Sequence, residues 1–275
     1  MKNMIKLLKT SPVSARFGLI VITLSLVVAL LAPILAPYGQ SEIVSDVWLS
    51  PSYDYPLGTD QLGRDMLTRL IYGARNSIFI AFTTTMIAFG LGAILGLIAA
   101  TTGGWLDILL SRIVDIFMAF PTLILALMIL SVLGTSIPVL IVVVALLDST
   151  RVFRLARALA MDIAIMEFVD AARLRGEKTL YIVWREILPN ALPALIAEFG
   201  LRFCFIFLFI SSLSFLGLGI QPPTADWGSM VRENSGAMNF GILCPLYPAA
   251  TIALLTVSIN LVVDWFLHRS AQIRA

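Results

Sequence analysis

The uncharged run between Asp115 and Asp148 constrains this chain more than any other feature. It is 32 residues long. A helix needs about 20 mostly apolar residues to cross a bilayer, so the run is long for one span and short for two. Gly134-Thr135-Ser136-Ile137-Pro138 interrupts it, and Gly and Pro are the strongest local punctuators. This predicts two spans, roughly 106–133 and 137–157, each borrowing residues at its charged end. Further apolar runs predict spans at 17–36, 77–100, 194–219 and 243–263. Composition agrees. Of 275 residues, 59% are hydrophobic and only 13% charged, with a mean hydropathy of +0.94. A soluble domain is roughly 25% charged, so a soluble enzyme, a disordered chain and a secreted disulfide scaffold are all disfavoured. A net charge of +2 is too small for a polybasic nucleic-acid binder.

Lys2, Lys6, Lys9 and Arg16 precede the first run and resemble the basic start of a signal peptide. The run exceeds the usual apolar core of about 7–15 residues, and Pro37 stands where cleavage would fall. A retained span is therefore expected. The positive-inside rule then orients the chain. With six spans and the N-terminus inside, the inner segments hold 14 of the 19 Lys and Arg residues. The outer segments hold 4, namely Arg64, Arg69, Arg75 and Arg232, and Arg202 stands near the start of span five. A single span over 116–147 would move the seven basic residues from Arg151 to Arg185 outside. The expected fold is thus an all-α polytopic membrane protein, a single domain over 1–275. It has six transmembrane helices, cytoplasmic termini at 1–16 and 264–275, outer segments at 38–76 and 220–242, and an inner loop at 158–193.

Little here suggests chemistry. Gly58 to Gly63 has G-x-x-x-x-G spacing, but Arg64 and Asp65 follow where a phosphate loop needs Lys and then Ser or Thr. Gly92-x-x-x-Gly96 reads as close helix packing. Glu198 and Arg202 stand four residues apart, the spacing of a helical ion pair. Asp107 and Asp115 flank Arg112 and are expected to pair locally or meet water. Cys204 and Cys244 have neither CxxC nor metal-site spacing.

The inner loop differs in kind. Glu167-Phe168-Val169-Asp170-Ala171-Ala172-Arg173-Leu174-Arg175-Gly176 reads as a short helix ended by a glycine in the left-handed conformation. A second helical stretch ends at Ile187-Leu188-Pro189, and Pro189 and Pro193 are expected to break the chain before span five. So short a helix has little core of its own to join. It needs either the membrane surface or a protein partner, and physics alone leaves both open.

Asp170-Ala171-Ala172, then Gly176, then Ile187-Leu188-Pro189 resembles the EAA loop of bacterial ABC-importer membrane subunits, with Asp170 in place of Glu. Pro56-Leu57-Gly58-Thr59-Asp60-Gln61-Leu62-Gly63-Arg64-Asp65 is similar to the segment after the first span in the dipeptide/oligopeptide/nickel permease group. Ser214 to Pro223, with Trp227-Gly228, is similar to the end of span five there. Order and spacing match the group's C-type subunit over nearly the whole chain. Only the stretch 260–269 departs, carrying bulkier residues around Asp264 than the group does.

The resemblance implies a non-catalytic permease in the bacterial cytoplasmic membrane, paired as a heterodimer with a sister permease. Two cytoplasmic ATPase subunits would bind ATP and Mg, leaving this chain without a cofactor. An extracytoplasmic binding protein would deliver the solute. Glu167, Asp170, Ala171, Ala172, Gly176, Leu188 and Pro189 would couple to the ATPases. Asp60, Arg64, Asp65 and Trp227 would serve docking at the outer face. Peptides, nickel chelates and glutathione all remain open as cargo. The alternatives are a stand-alone secondary transporter or channel, and a membrane-embedded enzyme. The first would need polar groups at mid-membrane, where the span centres offer mainly Ser, Thr and Asn.

Overall fold

The computed structural model describes residues 12–274, with side chains over 12–267. Lys2, Lys6 and Lys9, and the side chains of His268, Arg269 and Arg274, lie outside the described residues. The elements are α1 (Val13–Leu30), α2 (Ala32–Leu35), α3 (Met66–Thr102), α4 (Gly104–Met118), α5 (Thr122–Leu133), α6 (Ile137–Ala164) and α7 (Glu167–Leu174). After them come α8 (Thr179–Tyr181), a π turn (Ile182–Ile187), α9 (Leu188–Phe215), α10 (Trp227–Asn234), a 3-10 turn (Ser235–Phe240) and α11 (Leu246–Arg274). Extended pairing among the described residues is limited to two isolated bridges, Ile43 with Arg64 and Thr59 with Asp65.

Four helical stretches are long and apolar enough to cross a membrane: α1, α3, Thr179–Phe215 and the Leu246–Leu267 part of α11. α4 and α5 pass the same test only together, as a pair bent by 86°. α6 has the length but too many charges, because Asp148, Arg151 and Arg154 fall within its first eighteen residues.

Three expectations are corrected. The stretch 106–133 is not one straight helix. It breaks at Ala119-Phe120-Pro121, since Pro121 brings no N–H and disfavours helical geometry at Phe120. Second, α3 begins at Met66 rather than near Ser77, so the end of the outer segment is already helix. Asp65 caps it, accepting the Thr68 N–H at 2.8 Å. Third, Pro189 and Pro193 do not break the chain. Pro189 cannot donate to the Arg185 carbonyl, and the preceding turn widens to π geometry, with the Leu188 N–H bonded to Val183 O. The helix then runs on through Pro193.

Close packing of α3 on α6 sets the frame. A Cβ added at Gly92 would stand 2.5 Å from Ser149 O, and one at Gly96 would stand 2.6 Å from Phe153 O. Only glycine admits backbones this near, as the spacing predicted. Asp107 and Asp115 pair with Arg157 and Arg154 on α6, at 2.5 and 2.7 Å, rather than with Arg112. The Arg202–Glu198 pair forms at 2.6 Å, as its spacing suggested.

Candidate functional site

α7 follows α6 directly and lies against the π turn that leads into α9. Its buried stripe is Val169 and Ala172. They belong to one buried cluster with Leu97 of α3, Ala160 and Ile163 of α6, Val183 and Ile187 of the π turn, and Leu195 of α9, and α7 itself packs on the π turn and the end of α6. Ala172 is therefore a core residue, not an outward contact. Glu167, Asp170, Ala171 and Gly176 are exposed. So are Ile165, Met166, Phe168 and Leu174, the last at 90%. Leu188 is half-buried and Pro189 exposed, where the π turn meets α9.

The end of α7 has the geometry that its glycine suggested. Gly176 has φ +80°. Its N–H donates to Arg173 O at 2.9 Å, and the Glu177 N–H reaches Ala172 O at 3.2 Å. That reciprocal pair is a Schellman cap, which satisfies carbonyls the helix end would otherwise orphan. Nothing lies within 4 Å of a Cβ added at Gly176. The glycine is needed for its backbone angle, not for space.

At the opposite end of the bundle, Asp60, Arg64, Asp65 and Trp227 are all buried. They offer no exposed side chains for docking and instead hold the 38–76 and 220–242 segments together from within. Arg64 Nε donates to Asp60 Oδ2 at 2.6 Å, and Arg64 Nη2 to Glu233 Oε2 at 2.7 Å. Arg69 pairs with the same two carboxylates, at 3.2 and 3.1 Å. The Leu62 and Arg64 N–H groups donate to Asp60 Oδ1 at 2.8 and 3.0 Å. Amides that a phosphate would take are thus occupied by the loop's own carboxylate. Gly58 and Gly63 have φ +74° and +76°, with the backbone carbonyls of Leu49 and Ser45 where a side chain would stand. The G-x-x-x-x-G spacing belongs to two tight turns.

Trp227 joins the second outer segment to α3. Its N–H donates to Ser77 Oγ at 3.1 Å, and its indole Nε1–H to Leu70 O at 2.9 Å. Ser77 in turn donates to Asp226 Oδ1 at 2.7 Å. Burial pushes the Asp226 carboxyl above its ordinary range, against the opposing pull of hydrogen bonds from Ser229, Ser77, Ser214 and Gly228. The two outer segments therefore form one plate. Sequence reasoning found Asp60, Arg64 and Trp227 but missed Arg69, Glu233, Ser77 and Asp226. Only Asp226 carried a local signal, a carboxylate three residues before Ser229 at the start of a helix. Arg69 and Glu233 are 164 residues apart, and no local pattern links them.

Residues 92–272 match the family described as binding-protein-dependent transport system inner membrane component. The chain belongs to that family. It is 36% identical over 248 residues to a dipeptide transport system permease protein DppC of Alkalihalophilus pseudofirmus, covering 90% of this chain and 82% of that one. It is 36% identical over 254 residues to a di/tripeptide transport system permease protein DppC of Pseudomonas aeruginosa, covering 90% and 84%. Against a glutathione transport system permease protein GsiD of Pectobacterium atrosepticum the identity is 31% over 254 residues, covering 92% and 84%. The protein is thus a multi-pass permease of the bacterial inner membrane. The family match takes in α7 and its buried partners, while the outer segment 38–76 precedes it.

Proposed function

We infer that this permease is one of two unlike membrane subunits of an ATP-driven importer of peptides. A sister permease completes the pathway, two cytoplasmic ATPases supply the energy, and an extracytoplasmic binding protein delivers cargo. The peptide reading rests on the relatives named dipeptide and di/tripeptide permeases. In this reading the chain crosses six times, with the bent α4–α5 pair and α6 counted as crossings and both termini inside.

The observation that carries the coupling role is the two-sided character of α7. One side, Val169 and Ala172, is buried against the π turn that leads into α9 and against the end of α6. The other presents Phe168, Asp170, Ala171 and Leu174 to the outside. A push on the exposed side is delivered to the end of α6 and to the π turn that leads into α9, because packed interiors transmit strain rather than absorb it. That is what a link between a soluble two-state ATPase and a pore requires.

The test uses Ala171→Trp, which adds bulk at the proposed contact, and Gly176→Val. The valine must adopt a positive φ, at a cost of about 1–2 kcal/mol. Ala171 is exposed and position 176 has open space around it, so insertion and pairing with the sister permease should survive. Copurification of the ATPases, or stimulation of ATP hydrolysis by loaded binding protein, should fail. Normal retention and normal stimulation in both variants would return α7 to the membrane-surface reading.

A further inference from the structure

Two helices bring charge together far from either membrane face, beside a threonine of a third, at a depth where the span centres read from sequence offer mainly Ser, Thr and Asn. Asp148 and Arg151 lie on α6, Glu198 and Arg202 on α9, and Thr122 at the start of α5. Asp148 is eleven residues from the outer start of α6, or about 16 Å at 1.5 Å per residue. Arg202 is thirteen residues from the outer end of α9, about 20 Å. Thr122 is eleven residues from the outer end of α5, again about 16 Å. A hydrocarbon core is about 30 Å thick, so all three depths fall near its middle.

The cluster is built so that the guanidiniums keep unused donors. Asp148 is 2% exposed, and neither of its carboxylate oxygens has a hydrogen-bond partner. Arg151 Nη1 stands 3.7 Å from it and Arg202 Nη1 3.6 Å. Those distances hold counter-charge in place without consuming donors. Arg151 gives one hydrogen bond, to Thr122 Oγ1 at 3.0 Å, and Arg202 gives one, to Glu198 Oε1 at 2.6 Å. Both guanidiniums lie over the Phe205 ring, at 4.3 and 5.6 Å from its centroid, within cation–π range. A guanidinium has five N–H donors in a fork that suits a carboxylate.

Two observations say what the open side meets. The arginine side chains are 30% and 21% exposed, and a charge at this depth faces a watery cavity or protein, not lipid. Thr122 also follows directly on the break at Ala119-Phe120-Pro121, whose residues are exposed. Non-helical backbone at this depth is tolerated only where protein covers it or where it lines water.

We propose that Arg151 and Arg202 form a mid-membrane station for the carboxylate of a passing peptide, with Glu198 as the acceptor for its ammonium group. Two positive and two negative side chains sum to zero, which suits a zwitterion better than a free metal cation or a simple anion. This assignment rests on the peptide-importer reading and names the wall of its pathway.

The test reconstitutes the whole complex in vesicles and measures labelled dialanine taken up per ATP hydrolysed. Arg151→Gln and Arg202→Gln should each lower that ratio by about tenfold, the scale of one lost charge-assisted hydrogen bond. Arg202→Lys, which keeps the charge but loses the fork, should recover part of it. A second measurement needs no transport. Thr122→Cys, with Cys204 and Cys244 replaced by Ala, should react with a hydrophilic thiol reagent during ATP turnover, and dialanine should slow the reaction. An inert Thr122→Cys, or an unchanged ratio in both glutamine variants of a transporting complex, overturns the station alone. No dialanine uptake by the wild-type complex overturns the peptide reading and, with it, the cargo assigned to this cluster.

Discussion

Glu233 holds the outer plate together, and its charge can be removed with almost no change in shape. Glu233 Oε2 accepts from Arg64 Nη2 at 2.7 Å and from Arg69 Nη2 at 3.1 Å, while Oε1 has no partner. Glutamine therefore fits with its carbonyl oxygen toward both arginines and its amide in the Oε1 place. A hydrogen bond to a charged group contributes about 1.5–3 kcal/mol and a neutral one about 0.5–1.5. Downgrading two such bonds costs about 2–3 kcal/mol. Two buried guanidiniums are then left facing the single carboxylate of Asp60. Glu233→Ala removes the acceptor as well, and breaking a buried pair in this way costs about 3–5 kcal/mol. Thermal unfolding of the detergent-purified chain, followed by tryptophan fluorescence, should show midpoints falling in the order wild type, Gln, Ala. Protease cleavage within 38–76 should rise in the same order. Added salt should leave the ranking unchanged, since buried pairs are screened little. Midpoints within about a degree of wild type, combined with lost affinity for binding protein, would refute this. They would mean that the cluster is contact surface rather than frame.

Three further outcomes are expected. In a cysteine-free background, Ser52→Cys and Thr224→Cys should react with impermeant thiol reagents from outside and Thr179→Cys should not. Thr179 is exposed, so its silence would report its side of the membrane, and labelling it in intact cells would sink the six-crossing orientation. Gly96→Ala should destabilise by roughly 1–3 kcal/mol through overpacking against α6. Gly90→Ala, where nothing lies within 4 Å, should be neutral or mildly stabilising; equal thermal shifts would refute the packing account. Asp65→Ala should remove the cap of α3 at a cost of about 1 kcal/mol, seen as a lowered unfolding midpoint, and should leave nucleotide binding by the assembled complex unchanged.

Much was legible in the sequence because it is written locally. Helical type, apolar spans and the α7 cap depend on neighbours a few residues away, and Gly176 needs only its own backbone angle to end a helix. The Gly92–Gly96 pair announced a close approach, though not its partner. The break at Pro121 was also local, but it was overshadowed by the stronger Gly and Pro punctuation at 134–138. Helix type through Pro189 depended on whether the preceding turn could widen, and that turn buries Ile182, Val183 and Ile187 in the same cluster as α7.

What the sequence by itself determined is a membrane-embedded helical chain, the short helix of its 158–193 loop and its family. What only the tertiary structure decided is which charges meet. Arg69 finds Glu233, Asp115 finds Arg154, and Arg202 leans toward Asp148 across 54 positions of sequence. Burial turned Asp60, Arg64, Asp65 and Trp227 from apparent surface contacts into a frame. The physical reason is range. Backbone preference and hydrophobic periodicity act over one or two turns, whereas a buried charge takes whatever partner the folded helices bring within about 4 Å.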